Sequence, residues 1–160
     1  MLAPMVRLIC VIAGCLLAMS CGGEQTAEKK GPTKVQVAAP MDETRRFEMA
    51  GREKVEVVPD QLFGKSFLPG GNVASYEKGG KRWQQFVIKA KSPADTAILL
   101  GQFKDAMQQP KFVAHMGGYY GTDGARSYFV FPKGNWLAGV AGLPLEESDT
   151  IGRQMALLLN

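Results

Sequence analysis

Residues 73–95 read VASYEKGGKRWQQFVIKAKSPAD, and this stretch decides the fold class. Val73 to Glu77 and Arg82 to Lys91 are two extended runs carrying Val, Tyr, Trp, Phe and Ile, the residue types that suit a pleated surface. Between them, Lys78-Gly79-Gly80-Lys81 supplies the glycines that a hairpin tip needs. Ser92-Pro93-Ala94-Asp95 then opens a helix. Serine caps the free N–H groups, proline suits the first turn, and an acid meets the positive end of the dipole. Ile98, Leu99, Phe103 and Met107 carry that helix to Gln109, where Pro110 stops it.

Downstream the pattern returns. Lys111 to Met116 reads as a strand, and Gly117-Gly118-Tyr119-Tyr120-Gly121-Thr122-Asp123-Gly124 as a glycine-rich loop or a distorted strand and turn. Arg126 to Phe131 and Asn135 to Leu143 form a second hairpin around Pro132-Lys133-Gly134. A last helix, Glu146 to Leu159, sets Ile151, Met155, Leu158 and Leu159 on one face. Upstream, Val55, Val57 and Val58 suggest a short strand or a helix entry before Pro59-Asp60, and Pro69-Gly70-Gly71 reads as a turn. Ser75-Tyr76, Trp83 and Asp95-Thr96 are mirrored by Ser127-Tyr128, Trp136 and Asp149-Thr150 at offsets of 52, 53 and 54 residues. The expected class is α+β: an antiparallel sheet of about five to six strands with two helices on one face. The mirrored pairs are compatible with two ββα units joined by the strand at Lys111.

The chain has 160 residues, 46% of them hydrophobic and 21% charged, which suits one domain and excludes disordered or coiled-coil classes. A net charge of +4 is too mild for a dedicated nucleic-acid binder, so no nucleic-acid partner is expected. All three cysteines fall at or before Cys21, which removes disulfide scaffolds and cysteine-based zinc sites from the rest of the chain. Arg7 precedes an apolar run from Leu8 to Met19, twelve residues where about 20 would be needed to span a bilayer. That is the layout of a secretory signal peptide.

Leu16-Leu17-Ala18-Met19-Ser20-Cys21 resembles the lipobox of bacterial lipoproteins. The resemblance implies a signal peptide over 1–20, acylation of Cys21 and anchoring in the lipid bilayer. Ile12-Ala13-Gly14-Cys15 fits the pattern residue by residue but leaves a shorter apolar core, so Cys15 and an uncleaved signal anchor remain the alternatives. Gly22 is not the aspartate associated with inner-membrane retention, which implies an outer-membrane lipoprotein facing the periplasm where the host has that membrane. Residues 21–51 read as a flexible tether with balanced charge, and 52–160 as the folded domain. Val73-Ala74-Ser75-Tyr76, Ser92-Pro93-Ala94-Asp95-Thr96-Ala97 and Lys133-Gly134-Asn135-Trp136-Leu137-Ala138-Gly139-Val140 resemble an uncharacterised bacterial domain family whose members are often exported. That resemblance implies a fold and a cell-surface habit and carries over no catalytic residue.

Chemistry is sparse. His115, the single histidine, sits among apolar neighbours on an apparent strand, with no acid nearby in sequence, and reads as structural. Glu146, Glu147 and Asp149 suit the start of the last helix. Ser75 and Ser127 lack His–Asp partners, and the glycine-rich turns lack a phosphate-loop ending. Lys78, Lys81, Arg82, Lys89 and Lys91 form a basic cluster that reads as a solvated, edge-protecting hairpin, with anionic headgroups or wall polymers as the functional alternative. Tyr119 and Tyr120, flanked by glycines, are the candidate exposed contact surface. No catalytic residue, cofactor or metal is implied. The expectation is a non-catalytic envelope domain binding an unidentified protein or polymer, with an envelope hydrolase assembled only by folding as the rival.

Overall fold

The computed structural model describes Val35, Val37 and residues 39–160. Seven strands form one antiparallel sheet: β1 (Arg52–Asp60), β2 (Pro69–Lys78), β3 (Lys81–Lys89), β4 (Gln108–Val113), β5 (Gly118–Asp123), β6 (Arg126–Lys133) and β7 (Trp136–Ala141). Their order across the sheet is β1-β2-β3-β7-β6-β5-β4. Two helices complete the fold, α1 (Pro93–Asp105) and α2 (Leu145–Leu158). Cys21 and the signal segment lie outside the described residues. Among the described residues no helix is long and apolar enough to cross a membrane.

The hairpin at Lys78–Lys81 and the helix start at Ser92 are where the sequence puts them. Ser92 Oγ accepts the Asp95 backbone N–H at 3.1 Å and Pro93 occupies the first turn. The sheet is larger than the five to six strands expected, for two reasons. The segment around Val55 is a full nine-residue edge strand, and the glycine-rich stretch after Gly117 is β5 rather than a loop. Pro69-Gly70-Gly71 likewise opens β2, pairing with Asp60 and Val58, instead of turning. α1 ends at Asp105, short of Gln109, because the chain reverses at Met107 to run as β4 beside β5. Pro110 is tolerated there because β4 is an edge strand and its register slips between Gln108 and Lys111.

The helices lie on opposite faces, not on one. On β6, Tyr128 and Val130 join a core with Leu99 and Phe103 of α1, while Phe129 and Phe131 join a second core with Met155 of α2. All four β6 residues are buried, so this central strand needs a layer on each side. A rotation that exchanges the antiparallel neighbours β3 and β7 would keep α1 on its own face. The two hairpin–helix units therefore have opposite hands and cannot be superposed, which removes the ββα duplication. Trp83 and Trp136 do share a face, both packed into the α2-side core.

The folded unit also begins before Arg52. Phe47 is buried in the α2-side core, and Val35 in the α1-side core. Arg46 Nη1 donates to the Leu158 carbonyl at 2.7 Å, and Tyr76 Oη donates to the Glu48 carbonyl at 2.8 Å. Residues 39–51 are thus a strap over the sheet, where the polar composition suggested only spacer.

Candidate functional site

Strand ends assemble the site. Lys89, the last residue of β3, pairs with Trp136, the first of β7, and Trp136 pairs on its other side with Lys133, the last of β6. The buried Trp136 ring has Lys89 Nζ at 5.2 Å and the Arg46 guanidinium at 4.9 Å from its centroid, so two cations meet its electron-rich π system. Lys91 follows two residues after Lys89, and its carbonyl accepts the Asn135 amide at 3.4 Å.

The strap supplies the facing wall. Asn72 is buried on β2, where its Oδ1 accepts the Glu43 N–H at 3.0 Å and its Nδ2 donates to the Met41 carbonyl at 2.9 Å. One side chain therefore uses its acceptor and a donor to fix residues 41–43 against the sheet. Asp42 turns the strap by accepting from the Thr44 hydroxyl and N–H, which holds its carboxyl below the usual range. The Glu43 carboxylate is spoken for by Arg46 at 3.3 Å and Arg45 at 3.5 Å. Between strap and sheet lies a cavity of about 330 Å³ lined by Ala39, Pro40, Met41, Gly70, Gly71, Ala90 and Trp136, with Lys89, Lys91, Asn72, Asn135 and Glu43 as its polar members. Gly70 and Gly71 are required by close strand packing: a Cβ at Gly70 would lie 2.2 Å from the Pro59 carbonyl oxygen, and one at Gly71 2.6 Å from the Val87 carbonyl oxygen. Lys89, Lys91 and Lys133 form no ion pair among the described residues. The arrangement can take an apolar body at Trp136 and a negative charge at the rim.

The residues singled out from sequence are dispersed around this site. The basic cluster divides along β3. Lys81 meets the Glu147 carboxylate at 2.9 Å and Arg82 meets Glu77 at 2.5 Å at the hairpin tip, whereas Lys89 and Lys91 stand at the far end of the strand. Tyr119 and Tyr120 are half-buried on β5 and face opposite sides of the sheet, so they make no joint contact surface. Tyr119 packs on Phe112 at 5.3 Å between centroids, and Tyr120 Oη donates to the Leu143 carbonyl at 3.3 Å. Ser127 Oγ donates to the Leu143 carbonyl at 2.8 Å, and Ser75 Oγ accepts the Gln84 amide at 3.2 Å.

His115 lies in a 3₁₀ turn after β4 rather than on a strand, and it has an acid partner that sequence distance concealed. Its Nε2 is 2.6 Å from Asp149 Oδ1, while Asp149 Oδ2 receives Arg153 Nη2 at 2.7 Å. The imidazole is 54% exposed, so the trio links the turn to α2 on the surface. Among the described residues no group of three His, Cys, Asp or Glu side chains could hold a metal ion. No family model, curated protein or solved structure matches this chain.

Proposed function

We propose that this chain is a bacterial lipoprotein anchored in the cell envelope through acylated Cys21, and that its folded unit is a non-catalytic binding or accessory domain. The observation that carries the reading is the run Arg7, Leu8 to Met19, Ser20-Cys21, followed at once by the polar Gly22-Gly23-Glu24-Gln25. Of the three cysteines, only Cys21 remains after cleavage before it. A diacyl-thioether with an N-acyl chain buries many methylenes at about 0.8 kcal/mol each, enough for stable anchoring. Gly22 favours the outer membrane facing the periplasm in a host that has one. The fourteen residue-to-residue steps from Cys21 to Val35 reach at most about 50 Å when extended, which lets the domain stand off the bilayer.

Cys21→Ala tests the anchor. The variant should lose acyl-label incorporation and move from the membrane to the soluble exported fraction. Unchanged labelling and membrane retention would overturn it in favour of Cys15 or an uncleaved segment.

One observation favours the enzyme alternative, namely the 2.6 Å contact between His115 and Asp149, since a carboxylate-paired imidazole can move protons. His115→Gln at matched protein level distinguishes the two readings. A binding domain keeps its cellular function, whereas proton transfer through His115 would cost about 10²–10⁴ in rate.

A further inference from the structure

We propose that the cavity between the strap and Trp136 is a ligand site for a small amphiphilic anion, a phosphate or carboxylate head on a short apolar body. The inference rests on the reading of the folded unit as a binding domain and not on the anchor.

Three observations carry it. The cavity, about 330 Å³, lies within the size range of small-molecule sites, and its walls are largely apolar. Its rim carries Lys89 and Lys91, with Lys133 across Trp136, and none of these ammonium groups is neutralised by a carboxylate among the described residues. Elsewhere Lys81, Arg82 and Arg153 are each paired with an acid. Lys78 and Lys111 share the lack of an ion pair among the described residues, but only Lys89 and Lys91 line this largely apolar cavity. The one carboxylate lining the cavity, Glu43, is already held by Arg45 and Arg46, so it does not cancel the rim. The wall is also built rather than incidental, because a buried asparagine spends its acceptor and a donor on fixing it.

The physical division of labour follows. The apolar body displaces water from the Ala39–Met41 wall beside the buried Trp136, where burial contributes about 25 cal/mol per Å². The head meets two ammonium groups at a mouth where one side is low-dielectric protein, so each contact is stronger than in open water. Neither part suffices alone. An uncharged chain forgoes the lysines, and a bare anion forgoes the hollow.

Trp136 reports occupancy directly. The test uses the exported full chain with Trp83→Phe, so that its fluorescence comes from Trp136, in zwitterionic nanodiscs if acylated and free in buffer if not. Hexyl phosphate should give a saturable change at a Kd about tenfold or more below those of hexanol and of inorganic phosphate. Lys89→Gln with Lys91→Gln should weaken hexyl phosphate by about tenfold while leaving hexanol unchanged. Ala39→Phe, at an exposed rim position, should block the change with the denaturant midpoint of the parent retained. The proposal is overturned if hexanol or inorganic phosphate binds as well as hexyl phosphate. It is equally overturned if the lysine pair can be replaced without effect, or if no saturable change occurs. Because the readout does not depend on Cys21, loss of this site and loss of the anchor are separate results.

Discussion

Tyr76 is buried on β2, its ring stacked on Trp83 at 5.2 Å and 7° and its hydroxyl donating to the strap at Glu48. Burial disfavours the phenolate and pushes the hydroxyl up to about 12, with nearby Arg52 opposing and Glu48 assisting. A group that is harder to ionise when folded stabilises the native state fully below its unfolded value near 10. That contribution is lost as pH rises from there through 12, because the unfolded chain releases its proton first. The native protein should therefore lose about 2 kcal/mol between pH 10 and 12, read from denaturant midpoints. Tyr76→Phe should be less stable at pH 7 by about 1 kcal/mol and flatter across that range; a variant as steep as the parent would refute the assignment. Gln85 presents the opposite case. It is 3% exposed beneath the end of α2, and its Oε1 has no partner among the described residues. Gln85→Met keeps the length and removes the desolvation cost, so it should raise stability by about 1 kcal/mol. A loss on that substitution would mean the amide is satisfied after all.

At the scale of elements, α2 shows why composition alone misleads. Gly152 in mid-helix should cost about 1 kcal/mol relative to alanine, yet it lies where α2 presses on β6. A Cβ there would come within 2.7 Å of the Phe129 ring and 3.2 Å of the Phe131 ring. Overpacking costs about 1–3 kcal/mol, so Gly152→Ala should lower the unfolding midpoint despite its better helix propensity; a higher midpoint would show that the rings yield. The elements with local signals were legible before folding: the two-glycine hairpin tip, the Ser92 cap and the last helix, from its apolar spacing. Less legible were those whose residues have two uses. Pro69-Gly70-Gly71 has turn composition but extends as a strand because the sheet needs close backbone approach. The strap's polar residues match a spacer, and the groups that hold it down, Asn72, Tyr76 and the Leu158 carbonyl, lie 28 to 112 residues from their partners in it. The opposite faces of the helices were implicit in Tyr128 to Phe131, since four consecutive large side chains cannot all be covered from one side. The cavity was illegible for a related reason, because its rim joins the ends of β3 and β7 to a segment almost a hundred residues from Trp136.

The whole molecule is one sheet with a core on each side, and that geometry makes a claim about cooperativity. α1 with Leu62 and Leu68 covers one face, while α2 with Phe47 covers the other. Both cores draw on the same central strands, so a strand cannot lose the support of one layer and keep its pairing for the other. The two halves of the molecule are therefore not the hairpin–helix units that the chain order suggests, but two faces that share a backbone. Leu99→Ala on the α1 side and Met155→Ala on the α2 side each open space in a fully buried position and should each cost about 2–5 kcal/mol. Trp83 and Trp136 both report on the α2 side, which makes the Leu99 variant the informative one. If the sheet couples the cores, its tryptophan fluorescence should unfold at the same lowered denaturant concentration as its far-UV circular dichroism, in a single transition. Should part of the helical signal melt first while the tryptophans stay native, the α1 layer would be a separate unit and the two cores would fold independently.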